Sequence, residues 1–285
     1  MSWGSHILVG YDGTTDGERA LRWAATEAKI RKLPLSVCHA WRWPYPIAYI
    51  DHEGAVIVRK MGRHVLDHGV ARAREIAPTV TVKGHLADGP ADSALLHLAE
   101  SAEMIVVGAH ERTEMPLGST ALRLPARADR PVVVVRPDHH GHRSVVAGFD
   151  GSAGAEAALA FAFEEAAVRR WSLHVVSGCW EPNAAAPEDL GLYADEQRLR
   201  RVRGARLEQS VAPWCTKYPQ VETRTSLLVT SPREALLEAA RTADLIVVGR
   251  RGAGGRDGLR VGATTSAMLQ QSPCAVAVVP PRAGL

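Results

Sequence analysis

The chain repeats itself, and this duplication constrains its fold more than any other feature of the sequence. Residues 9–14 (Val-Gly-Tyr-Asp-Gly-Thr) return 138 residues later as residues 147–152 (Ala-Gly-Phe-Asp-Gly-Ser). Residues 105–108 (Ile-Val-Val-Gly) return 141 residues later as residues 246–249. The matches keep the same order, and 285 residues are about twice a typical domain of roughly 100–150 residues. We therefore expect two copies of one domain.

Each half alternates short apolar runs with longer segments of helical periodicity, which predicts βα units and a parallel sheet. The expected domains are residues 1–137 and 144–285, joined by a polar linker at 138–143. We expect each to be a Rossmann-like, doubly wound α/β domain with helices on both faces. Its five parallel strands should lie in the order 3-2-1-4-5.

Apolar runs locate the strands, and capping residues locate three helix starts. The expected strands lie near residues 6–11, 35–41, 80–87, 104–109 and 131–136, and near residues 144–149, 172–179, 220–228, 244–249 and 275–280. Thr14 and Ser152 follow the first strand of each half, and Ser231 precedes a proline, so helices should begin after these residues.

Composition and charge narrow the function classes. Hydrophobic residues make up 46% and charged residues 23%, which is ordinary for a globular protein, and no apolar run resembles a membrane span. The net charge of +3 is too small to indicate nucleic-acid binding. No signal-peptide core precedes the first strand, so we expect a cytoplasmic protein without membrane or nucleic-acid partners.

A dense arginine run and four scattered cysteines have simple interpretations. The arginines between 198 and 206 fall in a helical stretch, and we interpret them as a solvated face, with a patch for phosphate or an acidic partner as the alternative. The cysteines lack paired metal-ligand spacing, so we expect reduced thiols and no metal site.

The strongest functional signal is a glycine-punctuated loop between an apolar strand and a helix start. It comprises residues 247–252 (Val-Val-Gly-Arg-Arg-Gly) and, nine residues later, residues 262–265 (Gly-Ala-Thr-Thr). Glycines let a backbone approach phosphate oxygens closely, and a helix N-terminus supplies amide donors and partial positive charge. The segment therefore predicts nucleotide binding.

An aspartate ends the first strand of each half, at Asp12 and Asp150. If the first and fourth strands are neighbours, Asp150 and Gly249 end on opposite walls of one crevice, where the carboxylate can accept ribose hydroxyls. The alternative is an Asx turn that caps the following helix.

Two common nucleotide signatures are absent from the sequence. No glycine is followed by lysine, which excludes a Walker A loop, and residues 252–257 lack the last glycine of a dinucleotide fingerprint. A different phosphate loop is needed.

The spacing of glycine, two residues, glycine, nine residues, glycine resembles the ATP-binding signature of the universal stress protein family. The resemblance spans both halves and includes the Val-Gly-x-Asp-Gly-Ser/Thr start and the closing apolar strand. The whole chain is similar to the tandem form of that family. This resemblance implies an α/β protein that binds ATP, with Mg2+, for stress adaptation.

The resemblance also implies site residues in the second half, with ribose near the aspartate and phosphates on the loop and helix start. By motif position these are Asp150, Gly249, Gly252, Gly262, Ala263, Thr264 and Thr265. Ala263 stands where the family has serine, so one hydroxyl donor is missing although its amide remains. Such a loss costs about 1.5–3 kcal/mol unless another donor replaces it.

The first half departs further from the family pattern. Its candidates are Asp12, Gly108, Gly118, Ser119 and Thr120. Glu111 replaces the second loop glycine, and the loop is three residues shorter. The added negative charge and Cβ both disfavour a triphosphate, so we expect the second half to hold most of the nucleotide.

The last strand of each half, at residues 132–135 and 275–279, is apolar and contains no lysine, which at a sheet edge would prevent pairing with another strand. We expect these strands to pair within one chain as an internal pseudo-dimer, and whole chains to form a homodimer.

Three function hypotheses remain open at this point. The first is an ATP-binding regulatory protein that is not an enzyme. The second is a slow ATP hydrolase on the same fold, with Asp150 and Asp257 as the candidate metal or base carboxylates. The third is a nucleotide-free interaction module whose sites have decayed.

Overall fold

The chain divides into two units, Met1–Arg136 and Pro137–Leu285. A computed structural model describes residues 5–42, 51–109, 117–137, 141–180, 187–252 and 261–281. None of the helices within these ranges is long and apolar enough to cross a membrane.

The first unit is a parallel sheet with four α-helices. Its strands are β1 (His6–Gly10), β2 (Leu35–Trp41), β3 (Val82–Asp88), β4 (Ala102–Gly108) and β5 (Val132–Val135). Its helices are α1 (Thr15–Arg31), α2 (His52–Ile76), α3 (Ala91–Leu98) and α4 (Ser119–Arg127), with a 3-10 turn at Ala99–Ser101. The strand order is β3-β2-β1-β4-β5.

The second unit repeats this plan. Its strands are β6 (Ser144–Gly148), β7 (Ser172–Gly178), β8 (Thr223–Leu228), β9 (Leu245–Gly249) and β10 (Ala275–Val279). Its helices are α5 (Ala153–Arg169), α6 (Glu196–Lys217), α7 (Pro232–Ala240) and α8 (Ala263–Gln271), with a 3-10 segment at Pro187–Ala194. The strand order is β8-β7-β6-β9-β10.

The expected Rossmann-like α/β class is confirmed, and every strand boundary lies within three residues of its expected position. Within each unit the paired strands are parallel. Ile7, Leu8 and Val9 follow one another in β1 and are all 0% exposed. Consecutive burial of this kind indicates a strand that is covered on both faces, as in doubly wound folds.

Three helices begin where the capping residues indicate. Thr14, Ser152 and Ser231 each accept a side-chain hydrogen bond from the amide three residues later, at 3.1, 3.1 and 3.3 Å. Pro232 occupies the first helical position of α7, where its missing N–H costs nothing.

The sheet order places the functional segments side by side. β1 pairs directly with β4, and β6 pairs directly with β9. Because these strands are parallel, the loops that follow them meet at one edge of the sheet, where doubly wound folds bind ligands.

Candidate functional site

The aspartate after the first strand of each unit forms an Asx turn. Asp12 Oδ1 accepts hydrogen bonds from the Thr14 amide at 3.0 Å and from Thr14 Oγ1 at 2.6 Å. Asp150 Oδ1 accepts from the Ser152 amide at 2.9 Å. The capping alternative is therefore present in both units. A carboxylate has about four lone-pair positions, so this turn is compatible with a second role for the same group.

A backbone hydrogen bond joins the two ends of the candidate phosphate loop in each unit, at matched positions. The Gly118 amide donates to the Ala109 carbonyl at 2.8 Å, and the Gly262 amide donates to the Arg250 carbonyl at 2.9 Å. The shorter first loop therefore enters and leaves its turn as the longer one does. The remaining loop residues, 110–116 and 253–260, lie outside the described residues, and so do Glu111 and Asp257.

Helices α4 and α8 both begin, directly after these loops, with first-turn amides that have no acceptor within their own helix. The first intrahelical bond of α4 runs from the Leu122 amide to the Gly118 carbonyl at 3.1 Å. The corresponding bond of α8 runs from the Ser266 amide to the Gly262 carbonyl at 2.8 Å. In each helix the three intervening amides have no acceptor within the helix, which is the usual arrangement for binding an anion. The substitution at Ala263 leaves this backbone feature intact.

The Thr265 side chain contacts the backbone of β9. Its Oγ1 donates to the Gly249 carbonyl at 2.7 Å, and the residue is 3% exposed. A hydroxyl has one hydrogen to donate, so this side chain is committed to the backbone of β9. The role of Thr265 as a phosphate residue stays a prediction from the family resemblance; Thr264, which precedes it, is half-buried.

The first unit contains a cavity of about 210 Å³ at the ends of β1, β2 and β4. All five residues that the sequence indicated in this half line it, namely Asp12, Gly108, Gly118, Ser119 and Thr120. The cavity therefore joins the aspartate, the end of the fourth strand and the start of α4 in one place.

An apolar wall completes this cavity, and sequence reasoning missed it. Ala91 and Leu95 of α3 line the cavity together with Cys38 and Ala40 of β2. Leu95 is 1% exposed, and burial raises the pKa of the Cys38 thiol to about 12, so this wall is uncharged. Neither Ala91 nor Leu95 belongs to a recognisable motif, so the sequence carried no signal for this wall.

Tyr11 anchors the loop that carries Asp12. Its hydroxyl donates to the Glu18 carboxylate and lies 2.8 Å from His68 Nδ1. Burial and the Glu18 carboxylate raise the pKa of Tyr11, so the phenol stays protonated. The same ring would meet a Cβ at Gly69 at 2.5 Å, which shows how closely α2 approaches this loop.

In the second unit the corresponding residues also converge. A Cβ on Gly252 would lie 2.4 Å from Asp150 Oδ2, and a Cβ on Gly249 would lie 2.5 Å from the Gly154 carbonyl carbon. Gly249 is therefore required by close backbone approach, whereas the neighbour of Gly252 is the end of the Asp150 side chain.

The described residues contain no group of three or more His, Cys, Asp or Glu side chains placed to hold a metal ion. All four cysteines are free thiols, and three of them are buried.

The chain is similar to known proteins over nearly its whole length. The model of the universal stress protein family matches residues 5–136 and, separately, residues 141–280. A universal stress protein of Mycobacterium tuberculosis is 30% identical over 288 residues, which cover 95% of this chain and 96% of the relative. One of Mycolicibacterium smegmatis is 30% identical over 290 residues and covers 97% of each chain.

A solved structure agrees with the fold. The crystal structure of a universal stress protein from Archaeoglobus fulgidus matches with a TM-score of 0.71 at 17% identity, covering 98% of each chain. Since the family model matches both units, the chain belongs to the universal stress protein family and carries two family domains in tandem.

Proposed function

We propose that this protein is a cytoplasmic, ATP-binding regulator of stress adaptation and that the cleft of its first unit receives the nucleoside. The observation that carries the proposal is the cavity of about 210 Å³ between Asp12 and the start of α4. The stress role rests on family membership alone. The homodimer and the pairing of the closing strands stay predictions from the sequence.

Three parts of the cleft match three parts of an adenine nucleotide. The uncharged wall of Ala40, Ala91 and Leu95 suits an apolar base face. The Asp12 carboxylate can accept ribose hydroxyls. The first-turn amides of α4, with the hydroxyls of Ser119 and Thr120, suit phosphate oxygens, since a helix N-terminus favours negative charge.

This assignment reverses the preference drawn from the sequence. The loop glycines favour the second unit, yet it is in the first unit that a cavity joins the aspartate, the end of β4 and the start of α4. We therefore propose the first unit as the stronger site and the second as a weaker one. ATP would carry Mg2+ into the cleft as its phosphate counterion.

Calorimetry with ATP and magnesium tests the assignment. Ala91 is half-buried and lines the cleft, so Ala91→Phe should fill it and weaken the strong site at least tenfold. Gly252→Glu places a carboxylate against Asp150 in the second unit and should leave the strong site unchanged.

Ser93→Phe is the matched control, because Ser93 is exposed on the same helix and does not line the cavity. It should bind ATP as the wild type does. Undiminished binding by Ala91→Phe, or loss of the strong site in Gly252→Glu, would overturn the assignment to the first unit.

A further inference from the structure

The second unit contains another cavity, of about 440 Å³, which we call the α6 cavity. It lies between the loop after β6 and helix α6, and its lining includes Phe149, Asp150, Arg203, Arg206 and Ser210. No residue of α7, α8 or the loop after β9 lines it. The α6 cavity is therefore separate from the phosphate-loop side of Asp150.

Comparison of matched positions in the two units explains why this space exists. In the first unit His39 Nδ1 donates to a carbonyl of the loop after β1 at 2.8 Å, and a Cβ on Gly13 would lie 3.3 Å from Val65. The residues 138 positions later are Ser177 and Gly151. Ser177 is much smaller than histidine, and nothing lies within 4 Å of a Cβ on Gly151. The loop that packs on α2 in the first unit is thus separated from α6 in the second.

The side chains that face the α6 cavity also carry more positive charge than their counterparts in the first unit. Arg203 and Arg206 stand 141 positions after Gly62 and Val65, so two guanidinium groups replace a glycine and a valine. They lie three residues apart, with Ser210 seven residues after the first, which places all three on one face of α6. Asp150 is the one carboxylate in the lining, so the arginines leave the α6 cavity with a positive balance.

The positive potential reaches the end of β7. Burial raises the pKa of the Cys179 thiol, while Arg203 and Arg200 act on it in the opposite direction. The apolar part of the lining is formed by Phe149 and Leu207, which are 6% and 3% exposed. The α6 cavity thus combines a cationic side with an apolar floor.

We propose that the α6 cavity binds a small phosphorylated molecule, whose phosphoryl group lies on Arg203 and Arg206 and whose organic part packs on Phe149 and Leu207. Guanidinium forks match the spacing of oxyanion oxygens. The hydroxyls of Ser177 and Ser210 add hydrogen-bond donors. Together with the two guanidinium groups, these donors suit the three terminal oxygens of a phosphoryl group better than the two of a carboxylate. The volume lies within the roughly 300–1,000 Å³ of small-molecule sites. This site is additional to the proposed nucleotide cleft.

Titration calorimetry with inorganic pyrophosphate tests the proposal. Arg203→Gln combined with Arg206→Gln should weaken binding at least tenfold, the usual loss when charge-assisted hydrogen bonds are removed. Arg198→Gln combined with Arg201→Gln is the matched control, because it removes the same charge from exposed positions of α6 that do not line the α6 cavity. The control pair should bind within about twofold of the wild type, the residual effect of lost long-range charge.

A second variant keeps the test decisive if the protein with both Arg203→Gln and Arg206→Gln folds poorly. Ser210→Trp fills the α6 cavity without removing charge and should also abolish pyrophosphate binding. Equal losses in both arginine pairs would mean a diffuse charge effect and overturn the proposal, as would the absence of binding in the wild type. Tricarballylate, a carboxylate probe, should bind more weakly, and the reverse order would overturn the phosphoryl assignment.

Ala91→Phe separates this proposal from the nucleotide assignment, because Ala91 lines the first cleft and not the α6 cavity. Pyrophosphate binding that survives Ala91→Phe but not the change of both Arg203 and Arg206 to Gln supports the α6 cavity, whatever the ATP titrations give. Binding that is lost in Ala91→Phe and kept when both arginines are changed would place the pyrophosphate in a nucleotide cleft and contradict the proposal.

Discussion

Thr265 shows that residue type and spacing do not determine what a side chain binds. The sequence places a hydroxyl at the helix start, as the family pattern requires, but the structure uses it to bind the Gly249 carbonyl at 2.7 Å. The hydrogen bond ties the first turn of α8 to the end of β9. Its partner is 16 residues away in sequence, so the sequence pattern alone could not reveal it.

Thr265→Val should therefore lower stability more than it lowers ATP affinity. Valine keeps the shape of the 3%-exposed Thr265 but leaves the Gly249 carbonyl without this donor, which costs about 1–3 kcal/mol. Urea unfolding measures the first effect and calorimetry with ATP the second. Thr265→Ser, which keeps the hydroxyl, should retain most of the stability. An unchanged free energy of unfolding together with weaker ATP binding would restore the ligand role of the hydroxyl.

At the level of elements, helix α1 and its counterpart α5 each contain an ion pair between residues of the same helix. Glu165 and Arg169 lie 2.9 Å apart, with side chains 0% and 6% exposed, and Glu27 pairs with Arg31 at the corresponding positions of α1. The i,i+4 spacing is visible in the sequence, but the burial depends on how the helix packs against the sheet. Removing one partner of such a pair leaves a buried charge uncompensated.

Glu165→Ala should destabilise the protein by about 3–5 kcal/mol because Arg169 stays buried. The exposed pair of Glu196 and Arg200 has the same spacing in α6, with side chains 59% and 50% exposed, so Glu196→Ala should cost less than about 1 kcal/mol. Thermal and urea unfolding of both variants measure the difference. Similar losses in the two variants would contradict the role assigned to burial.

Elements were predictable where local chemistry decides them. The helix starts after Thr14, Ser152 and Ser231 were predicted correctly because capping is a local interaction. The contribution of α3 to the cleft was not predictable. Ala91 and Leu95 reach the site only because the order of the sheet brings their helix to the ends of β1 and β2, and neither residue belongs to a recognisable motif.

For the whole molecule, the sequence revealed the duplication but not how the two copies diverged. Both units keep the Asx turn, the loop closure and the first-turn amides. They differ where His39 corresponds to Ser177, because the contact of His39 with the loop after β1 involves segments that are distant in sequence. We thus propose the nucleotide cleft in one family domain and a separate ligand site, the α6 cavity, in the other.

Hydrogen exchange followed by mass spectrometry, with and without ATP and magnesium, tests the central assignment most directly. We predict slower exchange for amides 38–41 and 118–122, which border the first cleft, a smaller change for amides 262–266, and loss of the protection in Ala91→Phe. Protection confined to 262–266, or none in either unit at saturating ATP, would contradict the assignment of the nucleotide to the first unit.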